Sequence, residues 1–212
     1  MSLANLRREY TQAGLTKAML EVEPLEQFKK WFNDALAANL AEPNAMVLAT
    51  VNASGQPSTR VVLLKGIDER GFQFFTNYES RKGLELAANP KAALNFAWLE
   101  LERQVAVTGT VTRLSREESA AYFTQRPRGS RLGAWTSPQS QVIPTRDILE
   151  NRLRELESQY PGDDVPLPPQ WGGYALLPNE IEFWQGRSNR LHDRLRYRQA
   201  ANGTWLIERL AP

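Results

Sequence analysis

Apolar positions along the chain recur with two different periods. Over residues 24–40, Leu25, Phe28, Phe32, Ala35 and Leu36 fall on one face of a helix that starts at Pro24. From residue 45 the period drops to two. Strands are predicted over 45–52, 58–66 and 72–77, with turns at 53–55 and 68–71. Residues 80–89 read as a helix capped by Ser80 and stopped by Asn89-Pro90. Over 91–99, Ala92, Leu94, Phe96 and Trp98 share a strand face. Over 102–113, Val105, Val107 and Val111 share one face, and Gln104, Thr108 and Thr110 the other.

Ser115-Arg116-Glu117-Glu118 is a capping box, opening a helix that ends near Pro127. Residues 129–142 are polar, with Gly, Ser and a lone Trp135, and receive no element. Residues 144–160 are a helix with Leu149, Leu153, Leu156 and Tyr160 as its stripe, and the Pro-rich 165–169 is a connector. Residues 172–176 read as a strand, and a second short strand surrounds Ile181 and Phe183. A hairpin of 195–199 and 204–210 flanks Asn202-Gly203. Strands outnumber helices and short turns join them. That predicts a mainly β, α+β architecture: one antiparallel barrel with surrounding helices, not a βαβ sheet. Residues 24–212 form a single domain, and 1–23, without a clear period, form an arm.

Composition narrows the chemistry. At 212 residues there is material for one sizeable core. The net charge of +2, with no long run of Lys or Arg, gives little support to nucleic-acid binding. With no Cys, disulfides, thiolate metal sites and Cys nucleophiles are excluded, and a single His excludes a His-rich metal site. No G-x-S-x-G elbow is present, and no G-x-G-x-x-G follows a strand. No signal peptide and no apolar run of membrane-spanning length is visible, so a cytosolic protein is expected.

The densest chemistry lies in 181–194, IEFWQGRSNRLHDR, which holds a Trp, three Arg, an Asp and the only His. Arg forks onto anions and stacks on rings, so this stretch suits a flat anionic ligand as well as it suits a salt-bridged strand end. Cations also cluster at Arg60/Lys65, Arg81/Lys82 and Arg126/Arg128/Arg131. Arg81 and Lys82 occupy the first turn of a helix, where the macrodipole disfavours cations and a bound phosphate would reconcile them. Arg60 and Lys65 lie five apart in one predicted strand, on opposite faces if it is straight, so either a bulge re-aims one of them or they contact two different anions. Tyr122, Arg126 and Ser130 have the donors for a second phosphate. Trp135, Trp171, Trp184 and Tyr10 read as core or structural aromatics.

The motifs RREY, RVVLLK, FTNYESRK, LERQV, YFTQRPRGS, SPQSQ, PLPPQWGGY, IEFWQG and RLHDR, in that order from residue 7 to residue 194, resemble the pyridoxamine/pyridoxine 5′-phosphate oxidase family. The resemblance implies an FMN-binding split antiparallel β-barrel with FMN held non-covalently at a homodimer interface. It implies that Arg60, Arg81, Lys82, Gln139 and Ser140 surround the FMN phosphate and ribityl chain. Val61, Val62, Leu63, Leu64, Lys65, Phe75, Thr76, Gln104, Trp184 and Arg194 are expected around the rest of the flavin. Lys65, Tyr122, Arg126 and Ser130 are expected on the substrate phosphate, with Arg190, Leu191 and His192 over the pyridine ring. Arg7, Arg8, Glu9 and Tyr10 are expected in an arm that closes over the site. Phe75 departs from the Tyr common in the family. The implied reaction oxidises the substrate's 4′ alcohol or amine carbon to an aldehyde by hydride transfer to the flavin, with dioxygen as acceptor and hydrogen peroxide as product. Arg190 and His192 are the expected catalytic pair. A split-barrel flavin reductase and a non-catalytic module that binds FMN or pyridoxal phosphate are the alternatives.

Overall fold

The computed structural model describes residues 9–12 and 14–212. Arg7 and Arg8 lie outside the described residues. In chain order the elements are α1 (Pro24–Ala37), β1 (Ala45–Val51), β2 (Pro57–Leu63), β3 (Gly66–Asp68), β4 (Gly71–Asn77), α2 (Arg81–Ala88), β5 (Lys91–Trp98), β6 (Arg103–Arg113), α3 (Arg116–Gln125), α4 (Arg128–Thr136), α5 (Asp147–Gln159), β7 (Trp171–Gln185), β8 (Asp193–Gln199) and β9 (Trp205–Leu210). The strands form one antiparallel sheet in the order β2-β1-β5-β6-β7-β4-β3, with the β8–β9 hairpin added to β7. None of the described helices is long and apolar enough to cross a membrane.

The hydrophobic alternation explains which face is buried. Leu94, Phe96 and Trp98 of β5, Val105, Val107 and Val111 of β6, and Phe72 and Phe74 of β4 turn inward. Helix α1 lies on that face and buries Phe28 and Trp31. The Phe28 ring sits 4.9 Å from Phe72 and 4.8 Å from Phe96, and Trp31 sits 5.2 Å from Phe183. Truncating a ring as deeply packed as Phe28 costs about 3–5 kcal/mol. Leu36, expected on this face, is 50% exposed. The buried stripe runs Pro24, Gln27, Phe28, Trp31 and Ala35, and Leu36 falls beyond its edge.

β7 is one strand of 15 residues where two short strands were expected. Pro178 sits where the register with β6 shifts: Thr108 pairs with Glu180 and Gly109 with Pro178, leaving Asn179 as a bulge. A bulge does not need the N–H that proline lacks. The backbones approach so closely here that a Cβ on Gly109 would lie 2.1 Å from the Leu177 carbonyl oxygen. Opposite β6, the first half of β7 pairs with β4 and the second half with β8. β7 therefore carries Trp171 at one end and Trp184 near the other, up to about 40 Å apart along the strand.

Residues 128–136 form α4, a helix absent from the sequence-based expectation. It buries only Leu132, which packs with Leu156 of α5 and Val165 in a small second cluster partly covered by Trp135. The capping box at the start of α3 is present, Glu118 N–H donating to Ser115 Oγ and Ser115 N–H to Glu118 Oε2.

Candidate active site

A cavity of about 1110 Å³ opens between β2, β4, α2, α3, α4 and the loop after α4. It brings together Arg60, Val61, Val62, Leu63, Lys65, Phe75, Thr76, Arg81, Lys82, Tyr122, Arg126, Ser130, Gln139 and Ser140, all singled out from the sequence. The parity argument that set Arg60 and Lys65 on opposite faces does not apply. β2 ends at Leu63, Leu64 N–H turns to the Asn44 carbonyl, and Lys65 follows beyond the strand. Leu64, expected at the flavin, is 7% exposed and belongs to the core instead.

One end of the lining is a cation cluster built around the start of α2. Ser80 caps the helix, its Oγ accepting from Gly83 N–H. Arg81 and Lys82 occupy the first two helical positions, where free N–H groups already favour an anion. Lys82 is almost fully buried, and its ammonium donates to Thr76 Oγ1 (3.0 Å), Ser80 Oγ (3.2 Å) and Gln139 Oε1 (2.9 Å). Burial, and then the positive charge of Arg60, pull its pKa down to about 8. Burial also lowers the pKa of Arg60. Ser140, beside Gln139, has φ +73°, a left-handed conformation that non-glycine residues adopt at a cost.

Glu85, which the sequence did not single out, sits behind these cations and is 5% exposed. Oε2 accepts from Ser58 Oγ at 2.6 Å, from Thr50 Oγ1, and from Arg60 Nη2 at 3.3 Å; Oε1 accepts from Arg81 Nε at 2.8 Å. Burial raises its pKa, but the hydrogen bonds from Ser58, Thr50, Arg81 and Arg60 outweigh it and bring the pKa to about 2.

The aromatic wall comprises Phe75, Tyr122 and Trp171. Phe75 stacks on Tyr122 at 4.0 Å and on Trp171 at 5.5 Å. Trp171, read from the sequence as core, lines the cavity. Arg126 lies over its ring at 4.6 Å, and its Nη1 is buried with no hydrogen-bond partner among the described residues. Burial lowers the pKa of this guanidinium. A buried N–H of a cation without an acceptor costs free energy that an anionic ligand would recover. The residues therefore fit a phosphorylated flavin together with a phosphorylated substrate.

The remaining predicted residues form a second group that does not line this cavity. Gln104, Trp184 and Arg194 stand opposite one another across β6, β7 and β8. Arg194 is held by a bidentate pair with Glu182 at 2.7 and 2.9 Å. The Trp184 ring packs 4.6 Å from His192 and 5.6 Å from Tyr10. Arg190 and Leu191 lie in the bend before β8, where Asn189 and Arg190 both have positive φ. His192 Nδ1 accepts from Arg187 N–H at 3.1 Å. A neutral His192 so held carries its proton on Nε2 and presents a donor there. Glu9 is exposed and also lies away from the cavity. Thus the structure brings together in one cavity all the residues expected on the two phosphates and leaves the expected catalytic pair elsewhere on the same chain.

The antiparallel sheet, its long shared strand and the helices around the cavity place the chain among the split-barrel proteins. Residues 32–160 match the family described as pyridoxamine 5′-phosphate oxidase, and residues 171–212 match the pyridoxine 5′-phosphate oxidase C-terminal dimerisation region. The chain is 59% identical over 210 residues to the pyridoxine/pyridoxamine 5′-phosphate oxidase of Cupriavidus necator, covering 99% of each chain. It is 58% identical over 211 residues to that of Nostoc punctiforme, covering 100% of this chain and 99% of the other. The crystal structure of PhzG from Burkholderia lata, in complex with tetrahydrophenazine-1-carboxylic acid, is similar with a TM-score of 0.88 at 34% identity, covering 93% of this chain and 98% of that one. The chain belongs to the pyridoxine/pyridoxamine 5′-phosphate oxidase family of oxidoreductases.

Proposed function

We propose that the chain is a cytoplasmic, FMN-dependent oxidase that converts pyridoxine 5′-phosphate and pyridoxamine 5′-phosphate to pyridoxal 5′-phosphate, with dioxygen reduced to hydrogen peroxide. The observation that carries this reading is that two cation sets from different elements line one cavity. Arg60, Arg81 and Lys82 make one; Lys65 and Arg126, with the hydroxyls of Tyr122 and Ser130, make the other. Two phosphomonoesters, one on the cofactor and one on the substrate, use both sets.

When bound, FMN supplies the two-electron redox chemistry. The chain binds and orients. Arg60, Arg81, Lys82, Gln139 and Ser140 hold the cofactor phosphate and ribityl chain, while Val61, Val62, Leu63, Phe75 and Thr76 wall the ring. Lys65, Tyr122, Arg126 and Ser130 clamp the substrate phosphate. In a homodimer with FMN at the interface, Gln104, Trp184 and Arg194 of a second copy complete the flavin site. Arg190, Leu191 and His192 cover the substrate ring from the same side, and the arm of Arg7, Arg8, Glu9 and Tyr10 closes over it. Arg190 orients the ring through its guanidinium, and His192 donates from Nε2 and takes part in proton transfer. Holding the reacting carbon in place from both phosphate ends supplies much of the rate.

The tetrahydrophenazine-1-carboxylic acid in complex with PhzG represents a second class of ligand, a carboxylic acid. A carboxylate is satisfied by the fork of one Arg, whereas Lys65, Tyr122 and Ser130 beside Arg126 suit an anion with three terminal oxygens. The test is a visible spectrum of the purified protein, taken anaerobically before and after adding pyridoxine 5′-phosphate. A flavin band that bleaches, and peroxide on readmission of air, are the expected results. A protein without a flavin band, or a band that the substrate leaves unchanged, refutes the reading.

A further inference from the structure

We infer that Glu85 is a positioning residue for the cofactor phosphate, its ionised carboxylate holding Arg60 and Arg81 in place. The inference rests on reading the cavity as an FMN site. Glu85 enters from the buried face of α2, while its partners come from three places: Thr50 on β1, Ser58 and Arg60 on β2, and Arg81 on its own helix. The two hydroxyls act as bridges. Ser58 Oγ donates to Glu85 Oε2 and accepts from Arg60 Nη2, both at 2.6 Å. Thr50 Oγ1 likewise donates to Glu85 and accepts from Arg60 Nη1.

Arg60 is thereby fixed from behind. A guanidinium on a long side chain loses much rotamer freedom when it must grip a ligand, and pre-ordering removes that cost from the binding step. Arg81 is treated differently. Glu85 takes only its Nε, at 2.8 Å, which points the guanidinium while leaving the two terminal nitrogens for a bidentate contact with an anion. A bare carboxylate beside a phosphate would repel it. Here the carboxylate is turned away, and four donors converge on it.

Two substitutions separate reach from charge. Glu85→Asp keeps the charge and withdraws the carboxyl by about 1.5 Å, too far for the contacts across to β1 and β2. Glu85→Gln keeps the reach and drops the charge. Apoprotein is titrated with FMN and with riboflavin, which lacks the phosphate. The wild type is expected to prefer FMN. Glu85→Asp is expected to weaken FMN roughly 10- to 100-fold while leaving riboflavin unchanged. Glu85→Gln turns one acceptor oxygen into a donor that faces other donors, and is expected to weaken FMN as well while leaving riboflavin unchanged. An FMN affinity that Glu85→Gln leaves unchanged overturns the role of the ionised carboxylate. Equal weakening of both ligands in Glu85→Asp assigns Glu85 to the fold alone, and no change in either variant removes it from the site. A wild type that does not discriminate FMN from riboflavin sinks the cofactor reading itself, and this inference with it.

Discussion

Lys82 Nζ donates to Gln139 Oε1 at 2.9 Å, tying the start of α2 to the loop after α4. All three of its protons are used within the protein, and burial with the Arg60 charge lowers its pKa to about 8. A dianionic phosphate nearby favours the ammonium, so its pKa rises in the complex. The phosphate contribution to binding is therefore fully present below pH 8 and declines as the pH rises through 8 and above, because neutral Lys82 must first be recharged. On the acid side the phosphate loses its second charge near pH ~6. The ratio of riboflavin to FMN dissociation constants should thus peak between these values. A ratio that stays flat from pH 7 to 10 would remove Lys82 from the phosphate site.

Arg126 makes a different prediction because it is buried and incompletely partnered. Replacing it by Ala removes a charge-assisted contact to the substrate phosphate, and the Michaelis constant for pyridoxine 5′-phosphate should rise about 10- to 100-fold. FMN content should be unchanged. Apoprotein stability should change little, because the lost stacking on Trp171, about 0.5–1 kcal/mol, is offset by removing a buried unsatisfied N–H. Arg126→Lys should not rescue the constant, since an ammonium cannot fork. Steady-state kinetics at fixed flavin occupancy decide this, and an unaltered Michaelis constant counts against the clamp.

Most of the strands, their inward faces and four of the five described helices, α1, α2, α3 and α5, were legible from period and capping. α4 was not. It carries Gly129 and Gly133, buries only Leu132, and so shows too narrow an apolar face to register. β7 was read as two short strands, and what makes it continuous, its pairing with β6 along most of its length and the bulge beside Pro178, is a property of cross-strand register. The cations of the cavity were legible because Arg81 and Lys82 conflict with the helix dipole unless an anion is present. Glu85 was invisible for the opposite reason: an acidic residue inside a helix reads as a solvated face, and its burial depends on β1 and β2. Trp171 is buried, as its reading as a core aromatic expected, and it also lines the cavity, which depends on where β7 begins. The Gln104–Trp184–Arg194 row came only through family resemblance, since cross-strand register is not written in any single segment.

Arg190 occupies a left-handed position in the bend between β7 and β8, away from the cation cluster that lines the cavity. Its removal should therefore leave FMN in place. Arg190→Ala is expected to lower turnover by about 100-fold or more, as loss of an orienting group at the reacting carbon does, with flavin content close to the wild type. Absorbance of the purified variant gives the flavin content and peroxide release gives the turnover. Parallel loss of the two would mean that Arg190 supports the cofactor and not the reaction.

Trp171 and Trp184 lie on one strand with twelve residues between them, yet only the first lines the cavity. If a second copy of the chain supplies the Trp184 group, defects in the two groups should complement each other. In a dimer of one Arg126→Ala chain and one Arg190→Ala chain, one site carries both defects and the other carries neither. Random pairing of equal amounts makes half of the dimers mixed, so about a quarter of the wild-type turnover should return at low substrate concentration. Each variant alone should stay near its own low value. Were both groups to serve a site within a single chain, every site in the mixture would keep one defect and no activity would return. Differently tagged chains, co-expressed and purified as the mixed dimer, sharpen the comparison to about half of the wild-type turnover against almost none.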